Sequence, residues 1–437
     1  MSQSDRQQII FCFILAITAL AVAMGIGRFA FTPILPLMIQ EGKVHLAQTA
    51  WLSSSNYIGY LVGALSLLKS NRHPLFVVLG LTLVTLTTWL ASLSSIGWLL
   101  VLRFLAGVAS AWVLVSISAF AINWLKSRQV ASSGLIYTGV GIGITLTGLI
   151  CSYFIFQSAT VTIAAKSSLS PLSSRLWQYL GVIALLATLL VTFLLAKINS
   201  QLASTAAAKT SPTEATHTKA TNANPTASIT PNKLKLANVL TAYGLFGFGY
   251  ILPATFLPQI AKQWLSGQSY LLIWPFFGLA AALSVVLSQG LQRRYNNFSL
   301  LGVWRVSQII MAVGTLLPAL WQSLAGLMLS ALMVGGTFMV VTMAGLQVAA
   351  SQVTHYPKYN LSALMTASFA FGQLIGPLAA LVAIGNNIWL ALLPVSAIVL
   401  LIGVALLWVG RCCLISCFIS YLPKRISHQK LTKKDVA

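Results

Sequence analysis

Twelve apolar stretches, each long enough to cross a lipid bilayer, follow one another along this chain of 437 residues. A transmembrane helix needs about 20 apolar residues to cross a hydrocarbon core of about 30 Å. Apolar residues make up 57% of the chain and charged residues 7%, too few to cover a soluble domain. This balance excludes a cytosolic enzyme, a secreted domain and a disordered chain. The predicted spans are residues 10–39, 47–68, 74–94, 97–125, 129–155, 176–197, 235–262, 269–291, 300–320, 325–349, 361–383 and 388–410.

Lysine and arginine are distributed unequally between the two sides of the predicted membrane protein. With the N-terminus inside, 19 of them fall in inner loops and tails and 4 in outer loops, while Arg28, Arg103 and Arg305 remain within spans. An excess of positive charge marks cytoplasmic loops. We therefore expect a multi-pass protein of the bacterial inner membrane (a plasma membrane) with both termini in the cytoplasm. The net charge of +22 is spread between spans, which argues against a nucleic-acid partner.

The segment between the sixth and seventh spans has a different composition. It is rich in Ala, Thr, Ser and Lys and has almost no large apolar side chain, so it cannot bury a core. The predicted organisation is an N-terminal six-helix half (1–197), a disordered cytoplasmic linker (198–234), a C-terminal six-helix half (235–410) and a basic cytoplasmic tail (411–437).

The two halves share a spacing pattern. A Gly-x-Gly pair and a later proline occur in span 1 and again in span 7, each offset by 222 residues: Gly25, Gly27 and Pro36, then Gly247, Gly249 and Pro258. Repeats of parallel topology are typical of transporters built from two similar halves. The fold class expected is an all-α integral membrane protein with two pseudo-symmetric six-helix bundles.

Four segments of the spans are similar to those of a known family. They read GIGRFAFTPILPLM from Gly25, WLSSSNYIGYLVGAL from Trp51, YGLFGFGYILPATFLPQIA from Tyr243 and FGQLIGP from Phe371. They resemble the YbfB/YjiJ-type branch of the major facilitator superfamily (MFS), over nearly the whole chain outside the linker and tails. The resemblance implies the MFS fold and a transporter that works by alternating access. Span 4 is similar to the superfamily's R-x-x-Q-G motif, although Ala106 stands where Gln is usual.

Two arginines within the spans are the main candidates for contact with a substrate. Arg28 lies far from either end of span 1, where a charge costs at least about 2.5–3.5 kcal/mol on insertion scales. Arg103 is expected at a similar depth in span 4, and two guanidiniums facing one cavity would favour an anionic or strongly polar ligand. The alternatives are that Arg28 binds carbonyls of a broken helix and that Arg103 acts in packing. Arg305 is expected to snorkel to the membrane interface.

Acidic and histidine side chains are missing from the predicted spans. The acids are Asp5, Glu41, Glu214 and Asp435, and every histidine lies in a loop or tail. Proton-coupled carriers usually relay through buried Asp, Glu or His. We therefore expect transport without protonation of a buried side chain, although family resemblance implies a proton gradient. Glu41 near the outer mouth is the one possible relay and is otherwise a solvated loop residue.

Polar and aromatic residues within the spans are further substrate-binding candidates, each of which could instead tie helices together. They are Asn56, Tyr57, Tyr60, Tyr137, Tyr250, Gln259, Gln347 and Gln373. Small residues and prolines are expected to allow close packing and bending as conformational positions. They are Gly25, Gly27, Pro33, Pro36, Gly107, Gly139, Gly143, Gly247, Gly249, Pro258, Gly376 and Pro377.

Three classes of function remain in competition. The first is a secondary active or facilitative transporter of a small polar or anionic solute, with a drug or metabolite exporter as a variant. The second is a non-transporting membrane sensor or scaffold on the same fold. The third, a membrane enzyme, lacks a His/Asp/Glu cluster, and neither cofactor nor metal is expected because cysteine spacing fits no zinc pattern. We expect a monomer whose partners are a small-molecule substrate and the lipid bilayer.

Overall fold

The computed structural model of the protein describes residues 3–70, 73–93, 95–130, 132–159, 170–209, 235–295, 299–357, 360–385 and 391–409, and no strand occurs among them. Long helices account for most of these residues. We number them α1 Gln3–Leu20, α2 Phe31–Gln40, α3 Leu46–Ser66, α4 His73–Leu90, α5 Ile96–Ser127, α6 Thr138–Ala159, α7 Leu172–Lys209, α8 Leu236–Trp264, α9 Ile273–Arg294, α10 Leu300–Leu320, α11 Leu324–Ser351, α12 Leu361–Gly385 and α13 Leu392–Val409.

Ten helical segments within the described ranges are long and apolar enough to cross a membrane. These ten confirm all but two of the twelve predicted spans. The remaining two correspond to α3, which is 21 residues long but carries polar side chains, and to Leu392–Trp408, a shorter apolar helix. Both lie within the bundle, where α3 packs on α5 and α12, and α13 packs on α8 and α10.

The helix boundaries differ from the sequence prediction in two places. Span 1 is not one regular helix: a π-helical segment, Ala21–Ile26, and a turn at residues 27–30 separate α1 from α2. In addition, α7 continues to Lys209, past the predicted start of the linker at residue 198. Alanine, abundant in this stretch, is the best helix former and needs no apolar partner to adopt the helix. The rest of the predicted linker, residues 210–234, and the tail lie outside the described residues.

Helices pack extensively within each half of the chain, and two helix pairs form the largest contacts between the halves. In the first half α5 packs on α3 and α4, while α7 packs on α4; in the second α8 packs on α12 and α13, while α11 packs on α9 and α10. The pairs α3–α12 and α6–α9 join the halves. We call the end of the bundle where α1 begins the terminal face and the end that holds residues 41–45 the opposite face.

The repeat found in the sequence is visible in the contacts between the halves. Thr32 Oγ1 lies 3.5 Å from the carbonyl oxygen of Ala254, and the Lys262 ammonium donates to Gln40 Oε1 over 2.9 Å. Both pairs join residues 222 positions apart, the offset of the repeated Gly-x-Gly and Pro positions. Equivalent positions of α2 and α8 therefore meet where the two halves adjoin.

Glycines permit the closest helix contacts. A Cβ on Gly107 of α5 would lie 2.0 Å from the Asn56 carbonyl oxygen of α3, and one on Gly25 would lie 2.5 Å from the backbone of Gly143. Since neither backbone can yield to a side chain, these positions require glycine. The expected close packing is thus present, whereas bending at these positions remains a prediction.

The orientation of the bundle is testable with a matched pair of cysteines in a variant without native cysteines. Thr218→Cys lies in the predicted cytoplasmic linker, and Ser266→Cys lies in an exposed loop of the opposite face. We expect a membrane-impermeant maleimide to label position 266 in intact cells and position 218 only after lysis, because positive charge is concentrated on the terminal face. The reverse labelling pattern would invert the orientation.

Candidate functional site

The chain departs from regular helix where it carries Arg28. Within the π-helical segment the Gly27 amide donates to the Val22 carbonyl, and the Phe29 amide donates to that of Met24. Single π-turns often occur at functional sites, and irregular backbone at membrane depth needs partners within the protein. Side chains of neighbouring helices supply some of them.

Three donors bind the carbonyls of this irregular segment. Ser110 Oγ of α5 donates to Ala23 over 2.7 Å, and Thr147 Oγ1 of α6 donates to Gly25 over 3.3 Å. Arg103 of α5 is the third donor. These contacts fix the backbone that carries Arg28.

Arg103 binds the turn directly. Its Nη1 and Nη2 atoms donate over 3.3 Å to the carbonyls of Gly27 and Arg28, and its guanidinium carbon lies 4.8 Å from the centre of the Phe31 ring. Asn56 of α3 in turn donates to the Arg103 carbonyl over 2.8 Å. Arg103 therefore braces the backbone of Arg28, and its Nε has no hydrogen-bond partner. The prediction that the two arginines share one depth is correct.

The Arg28 side chain leaves the turn toward the C-terminal half and is 2% exposed. Its Nη2 donates to Gln373 Oε1 of α12, while its Nε and Nη1 have no hydrogen-bond partner. The guanidinium carbon lies 4.2 Å from the ring centre of Tyr60, 5.0 Å from that of Tyr57 and 5.7 Å from that of Phe369. Ring faces attract a cation, so these contacts stabilise the buried charge.

Gln373 links the two halves at the centre of the bundle. Its Oε1 accepts from Arg28 and its Nε2 donates to the Tyr250 hydroxyl of α8. Arg28 and Tyr250 are again 222 positions apart, so one amide bridges equivalent positions of the repeat. Nearby, the hydroxyls of Tyr57 and Thr255 lie 3.1 Å apart across the same boundary.

Tyr250 also belongs to an aromatic stack of the C-terminal half. Its ring is tilted 5° from that of Phe338 and 13° from that of Phe369, with centres 5.6 and 5.5 Å away. Phe29 of the irregular segment meets Phe338 edge-on at 6.0 Å. The two sides of the boundary thus differ: the N-terminal half brings two guanidiniums, and the C-terminal half brings an amide and parallel rings.

Seven of the predicted binding residues are brought together in this central cluster, which comprises Arg28, Asn56, Tyr57, Tyr60, Arg103, Tyr250 and Gln373. Three others are not part of these contacts. Tyr137 is fully buried directly before α6 and lies close enough to Tyr60 for the two hydroxyls to interact electrostatically. Gln347 lies near the terminal face beside Gly134, and Gln259 lines a cavity of about 50 Å³ toward the opposite face. Arg305 is also remote, buried with its guanidinium 4.8 Å from the Trp408 ring centre.

Several residues around the cluster are not conspicuous in the sequence. Phe338 and Phe369 look like ordinary apolar residues, and Ser110 and Thr147 like ordinary helix residues. One available signal was the 222-residue offset, which places Tyr250 opposite Arg28.

Contacts between the halves flank the central cluster on both sides. On the terminal face Asn360 Nδ2 donates to the Leu67 carbonyl over 3.3 Å. Toward the opposite face Lys262 donates to the Pro36 carbonyl over 3.0 Å, and Ser152 Oγ of α6 donates to the Leu271 carbonyl over 2.8 Å. The two halves are therefore joined at both ends of the bundle.

Glu41 lies in the turn after α2, is partly exposed and is held within the N-terminal half. Its carboxylate accepts from the Ser173 amide over 3.1 Å and from the Ser173 hydroxyl. Lys43 donates to Ser174 over 2.6 Å, beside a cavity of about 220 Å³. Burial lowers the pKa of Lys43, and the nearby Glu41 carboxylate partly opposes that shift. Both residues anchor the first loop to α7.

Residues 20–408 match a family described as "Uncharacterised MFS-type transporter YbfB". The chain belongs to this family. It is therefore a multi-pass membrane protein of the major facilitator superfamily, and membership indicates a transporter rather than an enzyme. The search of curated proteins found no match.

Among solved structures, the crystal structure of the human organic anion transporter MFSD10 (TETRAN) is similar to this chain, with a TM-score of 0.58 at 16% sequence identity. The similarity covers 93% of this chain and 100% of the other. At this identity the comparison supports the MFS fold.

Replacing Gln373 tests the bridge. Gln373→Leu leaves an Arg28 N–H and the Tyr250 hydroxyl unpartnered, so we expect a loss of about 1–3 kcal/mol in the stability of the ligand-free protein. This loss of stability is measured as a lower midpoint of thermal unfolding in detergent. Gln263→Leu, at an exposed position of α8, is the matched control and should change stability by no more than about 0.5 kcal/mol. Equal midpoints for both variants would contradict the bridge.

Proposed function

We propose that this protein carries a small organic anion across the membrane by alternating access, with the anion held at Arg28 and Arg103 between the two halves. The observation that carries the proposal is the burial of two guanidiniums that have no acidic side chain among their described partners. Arg28 and Arg103 are 2% and 5% exposed, and their hydrogen-bond acceptors are an amide and backbone carbonyls. A buried positive charge lacking a counter-ion is a favourable site for an anion.

Free hydrogen-bond donors support the same conclusion. Among the described residues, Arg28 Nε and Nη1 and Arg103 Nε are buried without hydrogen-bond partners, and an unsatisfied donor of a charged group is costly. A carboxylate can accept two parallel N–H bonds from one guanidinium. The structural relative's name, an organic anion transporter, agrees with this class of solute.

The contacts at the two ends of the bundle suggest how access could alternate. Opening the opposite face requires breaking the bonds from Lys262 to Pro36 and Gln40, whereas opening the terminal face requires separating Asn360 from Leu67. Breaking one set while keeping the other would expose the central cluster to one side only.

The proposed coupling excludes a relay through a buried acid. Glu41 accepts hydrogen bonds from Ser173 within the same half. Facilitated diffusion, exchange and symport of a proton carried by the solute itself are the routes compatible with this arrangement.

A thermal-shift screen with paired solutes tests the charge requirement. A carboxylate and its primary amide have nearly the same shape but differ in charge, so only the carboxylate should raise the unfolding midpoint of the purified protein. Stabilisation by the amide or by a cation instead would contradict the proposal. Stabilising anions are then tested for counterflow in proteoliposomes, and binding without flux would favour a non-transporting sensor.

Substitution of Arg28 tests its role. Arg28→Ala should abolish anion binding and counterflow while leaving membrane insertion intact, because removing the charge lowers the insertion cost. Arg28→Lys keeps the charge but loses the planar fork, and should weaken binding strongly. Arg305→Lys, the same change at the remote buried arginine, is the control and should transport like the unsubstituted protein. Full activity of Arg28→Lys would rule out bidentate recognition.

A further inference from the structure

The two sides of the central cluster offer a solute different chemistry. The N-terminal half presents Arg28 and Arg103, and the described residues facing Arg28 from the C-terminal half are Gln373, Phe369 and, through Gln373, Tyr250. A small inorganic anion would need donors around its whole surface. An anion held from one side only needs a body that tolerates an apolar, ring-lined opposite side.

We propose that the transported anion has a flat, conjugated body, as in an aromatic carboxylate, with its charged head at the two arginines and its ring against the aromatic stack of Tyr250, Phe338 and Phe369. This inference rests on the proposed anion transport. The proposed function specifies only the charge of the solute, and this inference specifies the chemical class of its uncharged part.

The orientation of the head follows from the charge distribution of aromatic rings. Ring faces carry partial negative charge, so they attract a guanidinium and repel a carboxylate. The head therefore belongs with the guanidiniums, whose free N–H groups are on Arg28 and Arg103. The uncharged body therefore belongs on the side of the C-terminal half, where the Phe369 ring faces Arg28.

The shape of the body follows from the geometry of the stack. Tyr250 lies within 13° of parallel to both Phe338 and Phe369, and the three rings are tightly buried. Phe246 and Phe277 pack on other parts of this stack, so a further flat ring would join it in an offset arrangement where Phe369 faces Arg28. It also requires the halves to part by only about 3.5–4 Å, the contact distance between carbon atoms, whereas a puckered body needs more.

Gln373 controls access to the space between the halves beside Arg28. In the closed arrangement its carbonyl occupies a donor of Arg28 and its amide group occupies the Tyr250 hydroxyl. A carboxylate can replace the carbonyl as the stronger acceptor. Its release from Arg28 then lets the halves separate at the position where the ring would enter.

The test compares benzoate with cyclohexanecarboxylate, which share the head and differ in the flatness and π-character of the body. Calorimetric titration of the purified full-length protein in detergent should give a dissociation constant about 2- to 10-fold lower for benzoate, the range of an aromatic stacking contribution. Counterflow of the corresponding sulfonates, which remain charged, should show the same order in proteoliposomes.

Leucine substitution locates the preference. Phe369→Leu and, separately, Phe338→Leu should bring the ratio of the two dissociation constants close to one, whereas Phe76→Leu, whose ring packs on Trp112 far from the cluster, should keep it. Because the readout is a ratio within one protein, a general loss of stability does not imitate it.

Equal affinities in the unsubstituted protein would overturn the aromatic body but leave anion transport standing. A preference for benzoate that survives both Phe369→Leu and Phe338→Leu would overturn the stack as its origin. Binding of neither anion, together with binding of a cation or a neutral solute, would overturn this inference and the proposed function together.

Discussion

The burial of two guanidinium groups at the centre of a lipid-embedded bundle is the constraint on which the rest of the site depends. A charge at that depth is stable only if the protein replaces the water it has lost. The backbone does part of this by leaving regular helix, which turns the carbonyls of Gly27 and Arg28 toward Arg103. For Arg28, aromatic rings and the Gln373 amide stabilise the buried charge in place of water. Three features replace the lost water around the guanidiniums. They are the π-helical segment, the donors that bind its carbonyls and the tyrosines of α3.

The protein groups around the two guanidiniums satisfy neither their charge nor all of their hydrogen-bond donors, and this deficit points to a ligand. Neutral acceptors offset the cost of burying a cation but add no negative charge, and three guanidinium nitrogens have no hydrogen-bond partner among the described residues. The pseudo-symmetry of the halves makes the imbalance plain, because the position equivalent to Arg28 is Tyr250. The two halves share the Gly and Pro positions of the repeat but carry different residues at the site.

Much of the fold follows from hydropathy because lipid leaves few alternatives to a spanning helix. The repeat could be predicted as well, and the structure agrees with it: Gly25 packs closely on the backbone of α6, and Gly247 packs closely on the backbone of α12. The π-helical segment could not, because no local propensity distinguishes it from a helix that continues through Gly27. The extension of α7 to Lys209 is not predicted, because a segment with few apolar residues cannot bury a core. Alanine nevertheless forms helix readily without an apolar partner.

The sequence predicts a site residue where a single side chain is unusual for a membrane span. It does not predict residues whose role depends on how the helices pack. Arg28 and Arg103 are conspicuous as charges within spans, and Gln373 is one of several polar residues in them. Gln259 and Gln347 meet the same criterion but lie toward opposite ends of the bundle, because the depth of a side chain and the direction it faces depend on how the helices pack. The stack on Tyr250 is invisible in sequence because aromatic residues are common in any membrane core.

The most direct test of the proposed anion site is an experimental structure of the protein with a saturating organic carboxylate that the screen has identified. We predict carboxylate density between the halves, within hydrogen-bonding distance of the free nitrogens of Arg28 and Arg103, with Gln373 no longer bound to Arg28. A carboxylate bound only elsewhere, such as beside Lys43, with the Arg28–Gln373 bond intact, would contradict it.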